Sequence, residues 1–263
     1  MLWHEMSWPA LARADKTIPV LIPLASCEQH GHHLPLFVDT IQVTAIAERV
    51  ERRLTDHLYL TPTLWLGSSD HHKDFPGTIT VSPSIYGAMI KQVARSVLRS
   101  GFKRMFFLNG HGGNRIPAAD ALTELVDEDD QAADATLALA SWWEVGREGL
   151  TPDRHGMGQP QVAHACEYET SLMMALRPDL VAADRIRQSG PVLDNAWYRS
   201  DGASGRVAMF HRFHRLTASG SMGTPLDATA DKGHSMLEAV EADVVAFLQE
   251  FATWPDLPVI GPA

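Results

Sequence analysis

Apolar runs alternate along the chain with segments of helical spacing. Residues 18–25 (IPVLIPLA) are continuously apolar, as a strand covered on both faces is. Asp39 to about Leu54 then sets Ile41, Ala45, Ile46, Val50 and Leu54 on one helical face. Leu58 to Leu66 reads as a second strand. Ser84 to Ser100 spaces Ile85, Met89, Val93 and Val97 for a helix, with Gly101 as its C-cap. A short strand over Met105–Leu108, a helix over Ile116–Val126, an exposed acidic loop at Asp127–Asp130 and a strand over Ala135–Trp142 follow. A helix over Glu167–Leu176, ended by Pro178, and a C-terminal helix over Lys232–Phe251 complete the pattern. Such alternation predicts an α/β fold. No internal repeat or linker interrupts it, so one domain over residues 1–263 is expected. Ser189 to Ser221, rich in Gly, Ser and Arg, is weakly periodic and reads as an insertion or an edge hairpin.

Composition narrows the function. The chain carries 32 acidic and 22 basic residues, a net charge of −10. Nucleic-acid binding needs a Lys/Arg surplus to neutralise phosphates and is disfavoured. No apolar run approaches the roughly 20 residues that cross a bilayer. The opening segment, MLWHEMSWPALARADK, lacks a basic stretch followed by an apolar one, so no signal peptide is expected. Two cysteines cannot frame a disulfide scaffold, and a cytoplasmic location is the default. The unusual feature is histidine: 13 residues, ten of them at 30/32/33, 71/72, 111, 155/164 and 211/214. Imidazole is the commonest metal ligand, so this clustering suggests a metal site.

Three polar constellations fall where an open α/β sheet binds ligands, beyond the carboxyl ends of its strands. The first is Cys27-Glu28-Gln29-His30-Gly31-His32-His33-Leu34-Pro35, followed by Asp39. Glu28 and His30 lie two apart, so extended backbone points both to one face, and the turn can fold Asp39 over them. Carboxylate plus imidazole suits Zn²⁺ or Mn²⁺, and an aspartate can bridge two ions. The second is Asn109-Gly110-His111-Gly112-Gly113-Asn114, whose glycines permit close backbone approach to a ligand. It lacks the Lys-Ser/Thr of a P-loop and the spacing of a dinucleotide fingerprint. The third is His164-Ala165-Cys166-Glu167-Tyr168-Glu169-Thr170-Ser171, where His164 and Glu167 share a face if the helix begins at His164. Glu169 then points elsewhere, toward backbone that it can hydrogen-bond. Each motif by itself also fits helix capping, a plain turn, or first-turn acids favoured by the helix dipole.

Together with Phe75-Pro76-Gly77-Thr78 and Gly220-x-x-Gly223-x-Pro225 through Lys232-Gly233, these motifs resemble the creatininase (creatinine amidohydrolase) family over residues 28–233. The resemblance implies a three-layer α/β/α fold with a mostly parallel sheet, a two-metal hydrolase site and a homohexamer. By position it implies metal ligation by Glu28, His30, Asp39 and His111, with Asp39 bridging. The glutamate ligand that follows the NGH turn in creatininase is Gly113 here, and Glu167 is the expected fifth ligand in its place. His164 matches the proton-transferring histidine. The glutamate before that histidine is Ala163, a departure that argues against creatinine as substrate. His33, Glu169 and His72 are expected to support the ligands or line the pocket, and Trp142 and Trp143 either to wall the substrate or to pack in the core.

The reading that follows is hydrolysis of a small cyclic amide or formamide by a water activated between two divalent ions, zinc, manganese or iron(II). Family branches include a formamidopyrimidine deformylase, a peptidase that trims a mycofactocin precursor and a hydrolase that opens a 3-dehydro-inosose ring, so carbohydrate ring-opening stays open beside amide hydrolysis, and a non-catalytic metal-binding oligomer is the competing class. His71, His72 and Asp74 are further candidates for the pocket wall, whereas His211, Arg212, His214 and Arg215 read as a solvated face. Cys27 and Cys166 read as small buried residues.

Overall fold

Four parallel strands form the scaffold: β1 Val20–Leu24, β2 Tyr59–Leu60, β3 Arg104–Asn109 and β4 Thr136–Ser141, in the order β2-β1-β3-β4. They belong to a computed structural model that describes residues 1–187, 195, 197–198, 207–258 and 260–261. Parallel neighbours require crossover connections, and helices supply them. Helix α1 (Val38–Arg53) joins β1 to β2, α2 (Pro83–Arg99) joins β2 to β3, and α3 (Arg115–Glu128) joins β3 to β4. Two more long helices follow, α4 (Glu167–Leu176) and α5 (Ala230–Phe251).

The continuous apolar runs are explained by two cores. Val20, Ile22 and Leu24 of β1, with Met105 and Phe107 of β3, pack against Tyr86 and Ile90 of α2 and Leu125 of α3. The alternate positions, Leu21, Phe106 and Leu108, pack against Ile46 and Val50 of α1, Leu172 of α4 and Val244 of α5. Successive side chains of a strand point to opposite faces, so a sheet covered on both sides needs apolar residues at every position. The result is the expected three-layer α/β/α arrangement. Helices α4 and α5 touch so closely that a Cβ on Gly233 would stand 2.0 Å from the carbonyl oxygen of Ser171. Among the described residues, no helix is long and apolar enough to cross a membrane.

Three local expectations are corrected. The second strand is Tyr59–Leu60, shorter than Leu58–Leu66, because Pro62 has no N–H for the ladder; Leu64 rejoins β1 only as an isolated bridge to Leu24. The acidic segment Asp127–Asp130 is not a free loop. Helix α3 runs through Glu128, which pairs with Lys91 and Arg95, and Asp129 caps the next short helix by accepting from Gln131 N. The fourth strand stops at Ser141, where a capping box with Glu144 starts a helical turn at Trp142. Much of Ser189–Ser221 lies outside the described residues.

The strand order fixes the position of the site. From β1 the chain moves to β2 on one side and later to β3 on the other, so β1 and β3 flank the switch point of the sheet. Leu24 pairs with Asn109 at the carboxyl end of that ladder. The Glu28–His30 loop and the His111 turn therefore leave the sheet side by side.

Candidate active site

Glu28, His30, Asp39, His111 and Glu169, all buried, converge at this switch point. Asp39 sits in the first turn of α1, where the helix dipole favours a carboxylate, and its Oδ2 accepts from Ser26 Oγ at 2.6 Å. His111 follows β3, with its backbone N–H held by Asn109 Oδ1 at 3.1 Å. Glu169 lies on α4 and accepts from the backbone N–H of Ala165.

Hydrogen bonding fixes which ring nitrogens carry protons. A carbonyl oxygen can only accept, so a ring nitrogen bonded to one must be the donor. His30 Nδ1 donates to Glu28 O (3.2 Å), His111 Nε2 to Ser68 O (3.1 Å) and His164 Nε2 to Gln29 O (2.8 Å). In each neutral ring the other nitrogen then presents a lone pair. His30 Nε2 lies 3.1 Å from Asp39 Oδ1. His111 Nδ1 lies 3.1 Å from Asp39 Oδ2 and 3.3 Å from Glu28 Oε1, and His164 Nδ1 lies 3.6 Å from Glu28 Oε1. Lone pairs thus face carboxylate oxygens, an arrangement that calls for positive charge between them. Consistently, among the described residues, His30 Nε2 and Glu28 Oε2 are buried without a hydrogen-bond partner.

Titration reflects the same frustration. Burial opposes a charged His30, but the carboxylates of Asp39, Glu169 and Glu28 outweigh it and raise it to about 9. Burial pushes Glu169 up to about 7, with the charge of Asp39 adding to the effect. Burial likewise holds His164 well below the ordinary histidine range. Protons and metal ions are alternative occupants of such a site.

Donor atoms of His30, Asp39 and Glu169 lie within 4.8 Å of one another, as do those of Glu28, His71 and His111 and those of Glu28, His30 and His164. This corrects the expectation for the third motif. Glu167 is not in the cluster: its Oε2 accepts from Gly158 N (2.8 Å) and Gln159 N (3.2 Å), and its Oε1 from Lys232 Nζ (2.6 Å). Helix α4 begins at Glu167 itself, after a turn in which Ala165 has φ +48°, so helical spacing cannot be counted from His164. Glu169, expected to point toward backbone, faces His30 as well, with Oε2 3.9 Å from Nε2.

The supporting residues divide in the same way. His72 is buried beside the site, with Nε2 3.3 Å from Glu28 Oε1. Its Nδ1 accepts from the Gln29 amide (3.0 Å), which also donates to Gly220 O. Gln29 stands within the first motif and Ser26 just before it, yet nothing in the sequence marked them as the residues that orient its ligands. His33 instead faces Thr170 Oγ1 on α4 at 2.9 Å and ties the loop to that helix. Of the two readings open for the tryptophans, Trp142 takes core packing, at 1% exposure, whereas Trp143 lines the cavity. That cavity, of about 590 Å³, exposes Glu28, His72, His111 and His164 on its floor. Phe213 packs tilted against His72 and edge-on against His164, with ring centres 4.2 and 4.6 Å away. His211, Arg212, His214 and Arg215 are exposed, as expected of a solvated face, with Arg212 and His214 reaching Asp74 beside the His71–His72 turn. Cys27 and Cys166 are buried free thiols, as expected.

The creatinine amidohydrolase family model matches residues 4–248. The chain is 30% identical to the mycofactocin precursor peptide peptidase of Mycobacterium ulcerans (strain Agy99), over 96% of this chain and 93% of that protein. It is 26% identical to the creatinine amidohydrolase of Pseudomonas putida, over 88% and 89% of the two chains. A solved mutant creatininase of Zn–Zn type superposes with a TM-score of 0.77 at 25% identity, over 95% of this chain and 97% of that one. The chain belongs to the creatininase family of hydrolases.

Proposed function

We propose that the protein hydrolyses an amide bond in a small molecule or short peptide, using two divalent cations, zinc or manganese. Glu28, Asp39 and His111 would hold one cation, and His30, Asp39 and Glu169 the other. The observation that carries this reading is the set of imidazole lone pairs aimed at buried carboxylates, with His30 Nε2 and Glu28 Oε2 left unpartnered. Buried polar atoms are normally paired, and a bound cation would pair these. Such cations polarise a carbonyl and acidify water near neutral pH.

The remaining work falls to the chain's own side chains. His164 holds a lone pair at Nδ1 on the cavity floor, fixed in that tautomer by the Nε2–H bond to Gln29 O. Because burial keeps it neutral, it is ready to take a proton from water and hand it to the departing nitrogen. His72 lies against Glu28, and Gln29 joins it to His164: the Gln29 side-chain amide donates to His72 Nδ1 and its main-chain carbonyl accepts from His164 Nε2–H. Trp143 and Phe213 provide apolar walls that hold the substrate and exclude bulk water.

A cavity of about 590 Å³ has the size of a small-molecule site. The similarity to a precursor-peptide peptidase favours a peptide-like amide, while Gly113 and Ala163 weigh against creatinine. Metal-free and zinc- or manganese-loaded protein should be screened against short peptides, formamides, cyclic amides including creatinine, and keto-inositols. Metal-dependent release of amine supports the reading. Ring opening of a keto-inositol, with no amine released from any amide by loaded protein, would overturn it.

A further inference from the structure

We infer that His71 is an additional metal ligand in this chain, completing with Glu28 and His111 the donor set of one cation. The inference rests on the two-cation reading above. His71 lies in the turn Asp70–His72, just before the histidine held by Gln29. Its ligand atom lies within 4.8 Å of those of Glu28 and His111. The ring is half-buried, lines the cavity and stacks on His111 at 5.6 Å and 16°. Among the described residues, neither of its nitrogens has a hydrogen-bond or ion-pair partner, in contrast to the paired nitrogens of His72.

A second observation concerns the space that the ring occupies. A Cβ on Gly113 would stand 2.7 Å from His71 Cε1, 2.5 Å from His111 Nε2 and 2.3 Å from Ser68 O. Any side chain at 113 would displace the two imidazoles, so the bare glycine forms the cradle in which they lie together. Without His71, the cation held by Glu28 and Asp39 has a single imidazole. A second one makes the site softer and favours zinc over manganese, because imidazole suits zinc whereas carboxylate and water suit manganese.

The test compares His71→Phe with His71→Ala. Phenylalanine keeps a ring stacked on His111 and edge-on to Phe213 but has no donor nitrogen. Zinc is titrated against a competing chelator, and the visible spectrum of cobalt-loaded protein is recorded. Both variants should lose affinity for one of the two ions, by more than the roughly 10–100-fold that removing a supporting partner costs. Both should show an altered cobalt spectrum, and added imidazole should restore that of His71→Ala. The loss should also be larger for zinc than for manganese. If His71→Phe binds both ions with wild-type affinity and an unchanged spectrum, His71 only packs and the inference is overturned. A wild-type protein that fails to bind two ions overturns the underlying reading as well.

Discussion

The exchange of roles between Glu167 and Glu169 can be tested by two matched substitutions. Glu167→Gln neutralises a fully buried carboxylate that takes Gly158 N, Gln159 N, Thr224 Oγ1 at 3.2 Å and Lys232 Nζ at 2.6 Å. Removing one partner of a buried ion pair typically costs about 3–5 kcal/mol. Lys232 keeps 19% side-chain exposure and a bond to Asp227 O, which places this case near the lower end, about 3 kcal/mol. At roughly 2–4 °C per kcal/mol for a domain of this size, Tm should fall by roughly 6–12 °C. Two-ion binding should survive at temperatures where the variant is folded.

Glu169→Gln should do the opposite. Burial raises this carboxyl to about 7, so folding disfavours its charged form, and metal-free stability falls as pH rises from its ordinary value of 4.5 through 7. Removing the charge lifts that penalty, and glutamine still offers an oxygen to Ala165 N–H. Metal-free Glu169→Gln should therefore melt no lower than wild type at pH 8. Its zinc-linked stabilisation should drop by roughly 2–3 kcal/mol if one ion binds about 100-fold more weakly. Thermal melts with chelator and with zinc read both effects. An unchanged metal-free Tm with loss of an ion in Glu167→Gln, alongside unaffected zinc binding in Glu169→Gln, would refute the assignment.

Further outcomes follow from the same geometry. His164→Ala should lower kcat by about 10²–10⁴-fold while leaving metal content unchanged; an unaltered kcat on an identified substrate removes His164 from the mechanism. Zinc binding should release protons and strengthen as pH rises from 6.5 to 9, because His30, raised to about 9, must give up its proton to the metal. Calorimetry in buffers of different ionisation enthalpy measures that release, and its absence at pH 7 would contradict the facing arrangement of imidazoles and carboxylates. Gly113→Ala should weaken zinc binding and stability together, since its Cβ would lie 2.3 Å from Ser68 O and displace His111; wild-type affinity in that variant would show that the turn has room.

The central strands were legible because β1 and β3 are buried on both faces, which leaves continuous apolar runs in the sequence. Pro62 shortened β2, and the capping box at Ser141 shortened β4, because single residues can end a ladder without changing its hydrophobicity. Glu28, His30, Asp39 and His111 could be placed by motif, and the structure brings them together. The Glu167–Glu169 ambiguity could not be resolved in sequence. Its outcome depends on where α4 starts, and that start follows a positive-φ turn at Ala165 that composition does not mark. Trp142 and Trp143 are equally opaque, since adjacent residues on a four-residue helix face core and cavity according to tertiary packing. His71 and His72 needed the fold as well: only the close approach of the turn to Glu28 separates them from an ordinary surface pair.

The most direct test of the two-cation account is anomalous scattering from crystals of the zinc-loaded protein. The account predicts two peaks, one among Glu28, Asp39 and His111, and the other among His30, Asp39 and Glu169. A single peak, or a peak at Glu167 beside Lys232, would contradict it.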